Sequence, residues 1–308
     1  QQSIAIMPLF GDRAHIARLA VPDLTEVSWV RWVGNDNIII GLHALLPIEG
    51  DQWYISRMIA FNRKTQKVTR IMWDSGGQNA ADVIWVPSDG STQILVAAQN
   101  SIYFNRAEFW PTVYRIDVTN GRRTVVERGR VDLYDWGADA QGRVRSGISY
   151  SDATTKSTLY YRSSHESTLR TIERARLSAD ESLTVPFLFV PGTDHGYVLR
   201  DGENGKTAVI ETNLKTGETV RTIYDALPVD DVILSTDGTQ LLGVRTDDRD
   251  APLQWLDPVM AAHQKALQEA SPRSSVRIMS VSSDKQKMLV RYSTPDNPGL
   301  LFYYDAGD

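Results

Sequence analysis

The sequence predicts an all-β protein of the β-propeller class, and three observations carry the prediction. A short unit recurs about six times: a turn with an Asp, an apolar strand, a second strand, then a Thr/Asn-Gly hairpin. The turn residues are Asp36, Asp89, Asp139, Asp194, Asp237 and Asp284, a spacing of roughly 43–55 residues, within or close to that of propeller blades. Apart from one short stretch, the apolar runs have strand length and no helical period. A repeat made of strands alone forms one sheet, and a sheet buries its faces only by stacking on the next repeat. We expect about seven four-stranded blades, within a range of six to eight, in a single domain over residues 1–308.

The elements follow in chain order. The first repeat is a hairpin, residues 3–10 and 14–21 about a turn at Gly11-Asp12-Arg13. The second holds strands at 27–32, 37–45, 54–62 and 67–73, rich in β-branched and aromatic residues and bounded by Gly, Asn, Asp and Thr. Trp29 and Trp32, three apart, point to opposite faces of an unbroken strand, and at least one packs between blades. The third repeat, 82–126, ends in a hairpin whose Asn120-Gly121 favours positive φ. The fourth, 135–176, has strands at 143–149 and 157–162.

The fifth repeat, 183–224, has hairpins at Gly202-Glu203-Asn204-Gly205 and Lys215-Thr216-Gly217-Glu218, and alternation over 207–212 and 218–223 predicts half-buried strands. The sixth starts at Asp231 and is interrupted by a helix near residues 257–270: Asp257 is an N-cap, Pro258 fits the first turn, and Ser271-Pro272 stops it. Val259, Ala262, Ala266, Leu267 and Ala270 form its apolar stripe, with Gln264, Lys265, Gln268 and Glu269 outward. A surface decoration is favoured over a lid. The last repeat, 276–308, has a strand at 288–293, a turn over 294–299 and a strand at 300–305. The first and last blades are therefore expected to be incomplete.

Composition narrows the chemistry. The net charge of −5 argues against a broad nucleic-acid-binding surface, and no polybasic segment points to a membrane. No apolar run reaches the length of a membrane span. The absence of cysteine excludes disulfides, thiolate metal sites and cysteine nucleophiles, and fits cytoplasm and bacterial periplasm equally. There is no Gly-x-Ser-x-Gly elbow, no phosphate-cradling Gly loop and no His-Glu-x-x-His. His15, His43, His165, His195 and His263 fall in different repeats without ligand spacing. Asp247-Asp248-Arg249-Asp250 lacks the spaced ligands of a calcium loop and reads as a solvated turn. Trp85, Trp110, Trp136 and Trp255 read as seals between sheets. No catalytic residue, metal or cofactor is expected. Residues 105–110 mix both charges with aromatics, and Arg106, Glu108 and Phe109 are the candidate substrate contacts.

Three blocks carry a resemblance to a known family: residues 30–39 (VRWVGNDNII), 113–121 (VYRIDVTNG) and 135–145 (DWGADAQGRVR). With the helix after Leu256-Asp257-Pro258 and the later Asp296-Asn297-Pro298-Gly299 and Tyr303-Tyr304-Asp305, the chain resembles the N-terminal β-propeller of the prolyl oligopeptidase family (S9) of serine peptidases. The bacterial acylaminoacyl- and dipeptidyl-peptidase-like members are the nearest in kind. The resemblance implies an α/β-hydrolase partner domain carrying a Ser-Asp-His triad, expected C-terminal to Asp308 and absent from this chain. It also implies a propeller that admits only short peptides to the active site. No triad residue, and no amine-binding Glu pair, has a matching position here. The expected function is therefore a gating and substrate-selecting domain of a serine exo- or oligopeptidase. A non-enzymatic propeller scaffold for a protein or peptide partner is the alternative.

Overall fold

The structure is a computed structural model and describes residues 2–9, 16–202, 205–248 and 252–307. The turn at Gly11-Asp12-Arg13, His15, Glu203-Asn204 and Arg249-Asp250 lie outside the described residues. The chain divides into two compact units, Gln1–Leu183 and Thr184–Asp308.

The first unit opens with a two-stranded hairpin, β1 (Ser3–Ile6) and β2 (Ala17–Ala20). Three four-stranded antiparallel meanders follow, each in sequence order. They are β3 (Glu26–Val33), β4 (Asn37–Ile48), β5 (Asp51–Asn62) and β6 (Val68–Ile71); β7 (Asp82–Trp85), β8 (Gln93–Ala98), β9 (Thr112–Asp117) and β10 (Arg123–Glu127); and β11 (Leu133–Ala138), β12 (Val144–Ser151), β13 (Lys156–Tyr161) and β14 (Arg170–Arg176). The second unit has one more four-stranded meander: β15 (Pro186–Phe189), β16 (His195–Asp201), β17 (Thr207–Asn213) and β18 (Thr219–Tyr224). Two three-stranded sheets complete it: β19 (Val229–Leu234), β20 (Leu241–Thr246) and β21 (Leu253–Trp255), then, after helix α1 (Pro258–Ala270), β22 (Ser275–Val281), β23 (Lys287–Thr294) and β24 (Asn297–Asp305).

The described residues thus form six blade-sized sheets and a hairpin. Six is the lower end of the expected range, and two of the six have three strands where four were expected. The first repeat contributes only its hairpin, because no third or fourth strand precedes β3. After β21 the chain turns into helix α1, where other sheets place a fourth strand.

Within each unit, sheets stack on one another through the apolar residues the repeat supplies. Val33, Ile39, Met58 and Ile71 of the β3–β6 sheet meet Ile94, Val96 and Ile116 of the β7–β10 sheet. Leu95 and Val113 meet Leu133, Trp136 and Val144 of the β11–β14 sheet. The hairpin lays Ala17 and Leu19 on Ile38, Ile40 and Phe61. In the second unit Val209 meets Val229 and Val244. Trp85 is such a seal: its Nε1–H donates to the Ala140 carbonyl (3.0 Å) across the sheet boundary. Its ring lies against Gly142, whose φ of +68° and lack of room for a Cβ (2.7 Å to the ring) make glycine necessary. Trp136 donates to the Pro111 carbonyl (2.8 Å). Trp29 packs on the core between the first two blades, whereas Trp32 is 45% exposed and seals nothing.

Three local expectations are corrected. Residues 208–212 of β17 are buried on both faces, because a strand inside a stacked sheet is covered on each side. The turn expected over 294–299 narrows to Pro295-Asp296, and Pro298 and Gly299 belong to β24, where the ladder shifts register. Helix α1 forms where expected, with Asp257 Oδ1 accepting from Met260 N–H (3.0 Å), but its phase differs. Met260 and Leu267 are buried, while Val259, Ala262, Ala266 and Ala270 are exposed. Gln264 and Gln268 face inward and donate to the Val276 and Ser274 carbonyls (3.0 and 2.8 Å). β22 is the first strand of its sheet, so a carbonyl at its outer side needs a donor, which Gln264 supplies, while Gln268 serves the residue just before the strand.

Candidate functional site

Arg106, Glu108 and Phe109 lie in the loop between β8 and β9, within the first unit. The loop is pinned at its base: Gln99 exchanges hydrogen bonds with Asn79 (2.8 and 3.1 Å), and Asn100 N–H donates to the Glu108 carbonyl (2.8 Å). Ser75 Oγ donates to the Gln99 carbonyl, and Gly77 approaches that carbonyl so closely that no Cβ fits. Arg57 clamps the same connection by donating to the Ser75 and Gly77 carbonyls (2.5 and 3.1 Å); burial lowers its pKa, against the nearby charge of Asp74.

A single 3₁₀ turn at Ala107–Phe109 then drives Trp110 inward. The Trp110 ring sits edge-on to Phe109 and to Tyr134, each at 5.1 Å. Phe109 is thus half-buried, an anchor for the loop, while Arg106 and Glu108 are exposed. The Arg106 guanidinium lies 4.9 Å over the Tyr103 ring, a cation–π contact. Tyr103 and Phe104 are 41% and 77% exposed. Arg106 thus lies with Tyr103 on the outside of the loop, Glu108 is exposed beside it in sequence, and Phe109 is held against Trp110.

A second element reaches this loop. Beyond the Glu26↔His43 pair, β4 and β5 continue as a two-stranded arm to Ile48↔Asp51. Glu49 and Gly50 (φ +53° and +92°) turn its tip, and Glu49 Oε1 accepts from the Tyr103 hydroxyl (2.6 Å). That bond is the main reason the Tyr103 pKa is raised. Leu45 and Tyr54 leave the arm apolar and exposed.

The sequence reading missed a third group. β7 and β11, the first strands of adjacent sheets, lie side by side and carry Asp82 and Asp135. Asp82 has its pKa raised to about 6, mainly by desolvation and then by the Asp135 charge, with Arg31 of β3 opposing. Its side chain still touches solvent. The available signal was positional, since both residues open their repeats.

Other polar clusters are structural. Ser28 Oγ is 2.7 Å from His43 Nδ1, and His43 Nε2 is 3.5 Å from Glu26; the group lies open on a strand face, with Glu26 72% exposed. Glu211, largely buried, accepts from Arg221 Nε (2.7 Å) and pairs with His195 Nδ1 (2.9 Å). His165 is exposed, and His263 stands edge-on to Tyr304 at 5.9 Å. Among the described residues no group of three or more His, Asp or Glu is placed to hold a metal ion, and no helix is long and apolar enough to cross a membrane. In the second unit, Leu267, Ala270, Tyr292, Leu300, Phe302 and Tyr304 line a mostly apolar groove of about 520 Å³.

No family model and no curated protein matches the sequence. Among solved structures, the chain is similar to an acylaminoacyl peptidase in complex with Z-Gly-Gly-Phe-chloromethyl ketone, at 11% identity and a TM-score of 0.52, covering 92% of this chain and 45% of that one. It is also similar to the Pyrococcus horikoshii acylaminoacyl peptidase (10% identity, TM-score 0.48, 87% and 43% covered). Prolyl oligopeptidase B from Galerina marginata bound to a 25mer macrocyclization substrate gives 11% identity and a TM-score of 0.48, with 94% and 42% covered. The chain spans less than half the length of these three proteins. The first likeness shows the fold, a β-propeller.

Proposed function

We propose that this chain is the substrate-selecting propeller of a serine peptidase of the prolyl oligopeptidase family, acting on short peptides. The catalytic α/β-hydrolase domain would be its covalent partner, C-terminal to Asp308. The observation that carries the reading is the match of 92% of the chain to 45% of an acylaminoacyl peptidase, the proportion expected of one domain of two. The three sequence blocks quoted above support it independently.

Within the chain, the loop of residues 101–110 and the Glu49 arm are the surface proposed to meet peptide. Arg106 would take a carboxylate, Glu108 an amino group or basic side chain, and Phe109 with Tyr103 the apolar part of the peptide. Held by the Trp110–Tyr134 stack, the loop offers these groups with little ordering cost. The Asp82–Asp135 pair favours a cationic terminus over an anionic one.

The test is a titration of the 308-residue chain with a set of dye-labelled tri- to hexapeptides, alongside a chromogenic aminoacyl substrate. We expect no hydrolysis, saturable peptide binding, and about tenfold weaker binding in Arg106→Ala, the loss of one charge-assisted contact. Hydrolysis by the purified chain would refute the domain reading. Binding of no peptide, with a folded protein captured instead, would favour the non-enzymatic scaffold.

A further inference from the structure

We propose that the seam between the β3–β6 and β7–β10 sheets holds a binding site for a small monocarboxylate, built on Asn37, Asn62, Thr65 and Lys67. These residues line a pocket of about 290 Å³, to which Val118 and Thr119 contribute from the neighbouring sheet's hairpin. The pocket lies within the first unit, beyond the Asp117 end of β9, whereas the loop of residues 101–110 precedes the Thr112 end. It is therefore a site separate from the surface proposed to meet peptide, and it stands or falls without the peptidase reading.

The polar lining is one-sided. Asn62 Oδ1 accepts from the Lys64 and Thr65 N–H groups (3.1 and 3.0 Å), which fixes its amide so that Nδ2 donates to Asn37 Oδ1 (2.9 Å). That bond in turn fixes Asn37. Its Nδ2 is left with no partner among the described residues, although Asn37 is only 7% exposed. The same Nδ2 is not sealed inside the protein, so it meets the open space that Asn37 lines. A nearly buried donor without a partner costs free energy until a ligand or a water accepts from it.

Lys67 supplies the charge. Its Nζ donates to the Thr119 carbonyl across the seam (2.7 Å), pairs with no carboxylate among the described residues, and keeps further N–H groups to give. The Thr65 hydroxyl accepts from the Lys67 N–H (3.4 Å), and its own proton is uncommitted. The acceptors, by contrast, are in use: the Thr119 carbonyl takes both Lys67 and Thr69 Oγ1 (3.1 Å). What remains is a set of donors around one cation, which selects an anion with acceptor oxygens. Asp36 is matched by Arg63 and Lys64 (3.0 and 2.8 Å), but Asp117 is bonded only to the neutral Thr92, Thr119 and Asn120. A second negative charge on the ligand would be repelled by it, so a carboxylate fits better than a phosphate dianion. Ala60 and Val118 add methyl groups to the lining, which suits a short aliphatic body. At roughly 30 Å³ for each water-sized group, there is room for on the order of ten non-hydrogen atoms.

The test is nuclear magnetic resonance of the 308-residue chain carrying isotope-labelled asparagine, titrated with sodium isovalerate at constant ionic strength. The Asn37 side-chain NH2 signal, assigned by its loss in Asn37→Asp, should shift and saturate with a dissociation constant on the order of 1 mM. Lys67→Met keeps the aliphatic stem, removes the charge and should weaken binding about tenfold. Asn37→Asp replaces the free donor with an acceptor and should abolish binding, read in that variant on the Asn62 signal. Lys67 is exposed, so its variant keeps the test valid should Asn37→Asp misfold. Three further probes define the class: isovaleramide has the same shape without the charge, inorganic phosphate has a second charge, and acetyl-Gly-Gly-Val carries its carboxylate on a longer chain. Each should bind at least about tenfold more weakly than isovalerate. An Asn37 signal that does not move would overturn the proposal. So would equal binding of isovaleramide, tighter binding of phosphate or of the peptide, or an isovalerate affinity unchanged in Lys67→Met.

Discussion

Asp82 shows how one side chain reports on its surroundings. Its folded pKa of about 6 stands above the ordinary 3.8, so between those values the folded chain holds a proton that the unfolded chain releases. Stability therefore falls as pH rises from about 4 through 6, and the deficit is fully present at pH 7. Because the group is solvent-exposed, the size of the effect is reduced by screening. Asp82→Asn should raise the melting temperature at pH 7, leave it nearly unchanged at pH 4, and flatten the profile between them. A variant with the wild-type pH slope would show that the carboxylate is not held against Asp135. Neither Asp announces this in the sequence: the pairing depends on two strands about 50 residues apart lying side by side. The loop that holds Arg106, Glu108 and Phe109 was legible as a loop between two strands for a different reason, since mixed charge and aromatics there mark an ordered surface segment. Their division into an outer cation and an inner anchor was not legible, because it follows from one 3₁₀ turn and the Trp110 stack.

At the scale of elements, strands and turns were the easiest to read and faces the hardest. The helix was placed to within a residue by Asp257-Pro258 and Ser271-Pro272, yet its apolar stripe was misassigned. Counting alanines and Val259 as the buried side ignores what the neighbouring strand lacks. β22 and the residue before it need hydrogen-bond donors, and Gln264 and Gln268 supply them. Gln264→Leu should therefore destabilise the chain by about 1–3 kcal/mol, the cost of leaving a buried carbonyl unsatisfied. Lys265→Leu, on the exposed side, should change it by less than about 0.5 kcal/mol. Urea unfolding of both variants decides the matter, and equal effects would restore the original phase. β24 was misread in the same way: Pro298-Gly299 looks like a turn, but the ladder absorbs it as an irregularity and the strand continues.

For the molecule as a whole, the period of the sequence revealed the sheets because each repeat must bury its faces on the next. What period alone did not reveal is where the cores are concentrated. The clusters joining the hairpin and the first three blades lie within residues 1–183, and those around Val209–Val244 and α1 lie within residues 184–308. In a chain of stacked repeats, stability is close to a sum of neighbour interfaces, so a run of sheets that keeps its interfaces keeps most of its structure. Residues 1–183 expressed alone should accordingly fold. The signature would be near-ultraviolet circular dichroism from Trp85, Trp110 and Trp136, which are fixed entirely by contacts inside that unit. Cooperative urea unfolding should accompany it. A fragment with β-rich far-ultraviolet signal but no tryptophan dichroism would mean that these side chains are ordered only in the complete chain. The loop of residues 101–110, proposed above to meet peptide, depends on the same contacts, so if that proposal holds the fragment should bind short peptides as the complete chain does. Loss of binding in a well-folded fragment would move the binding surface to residues 184–308.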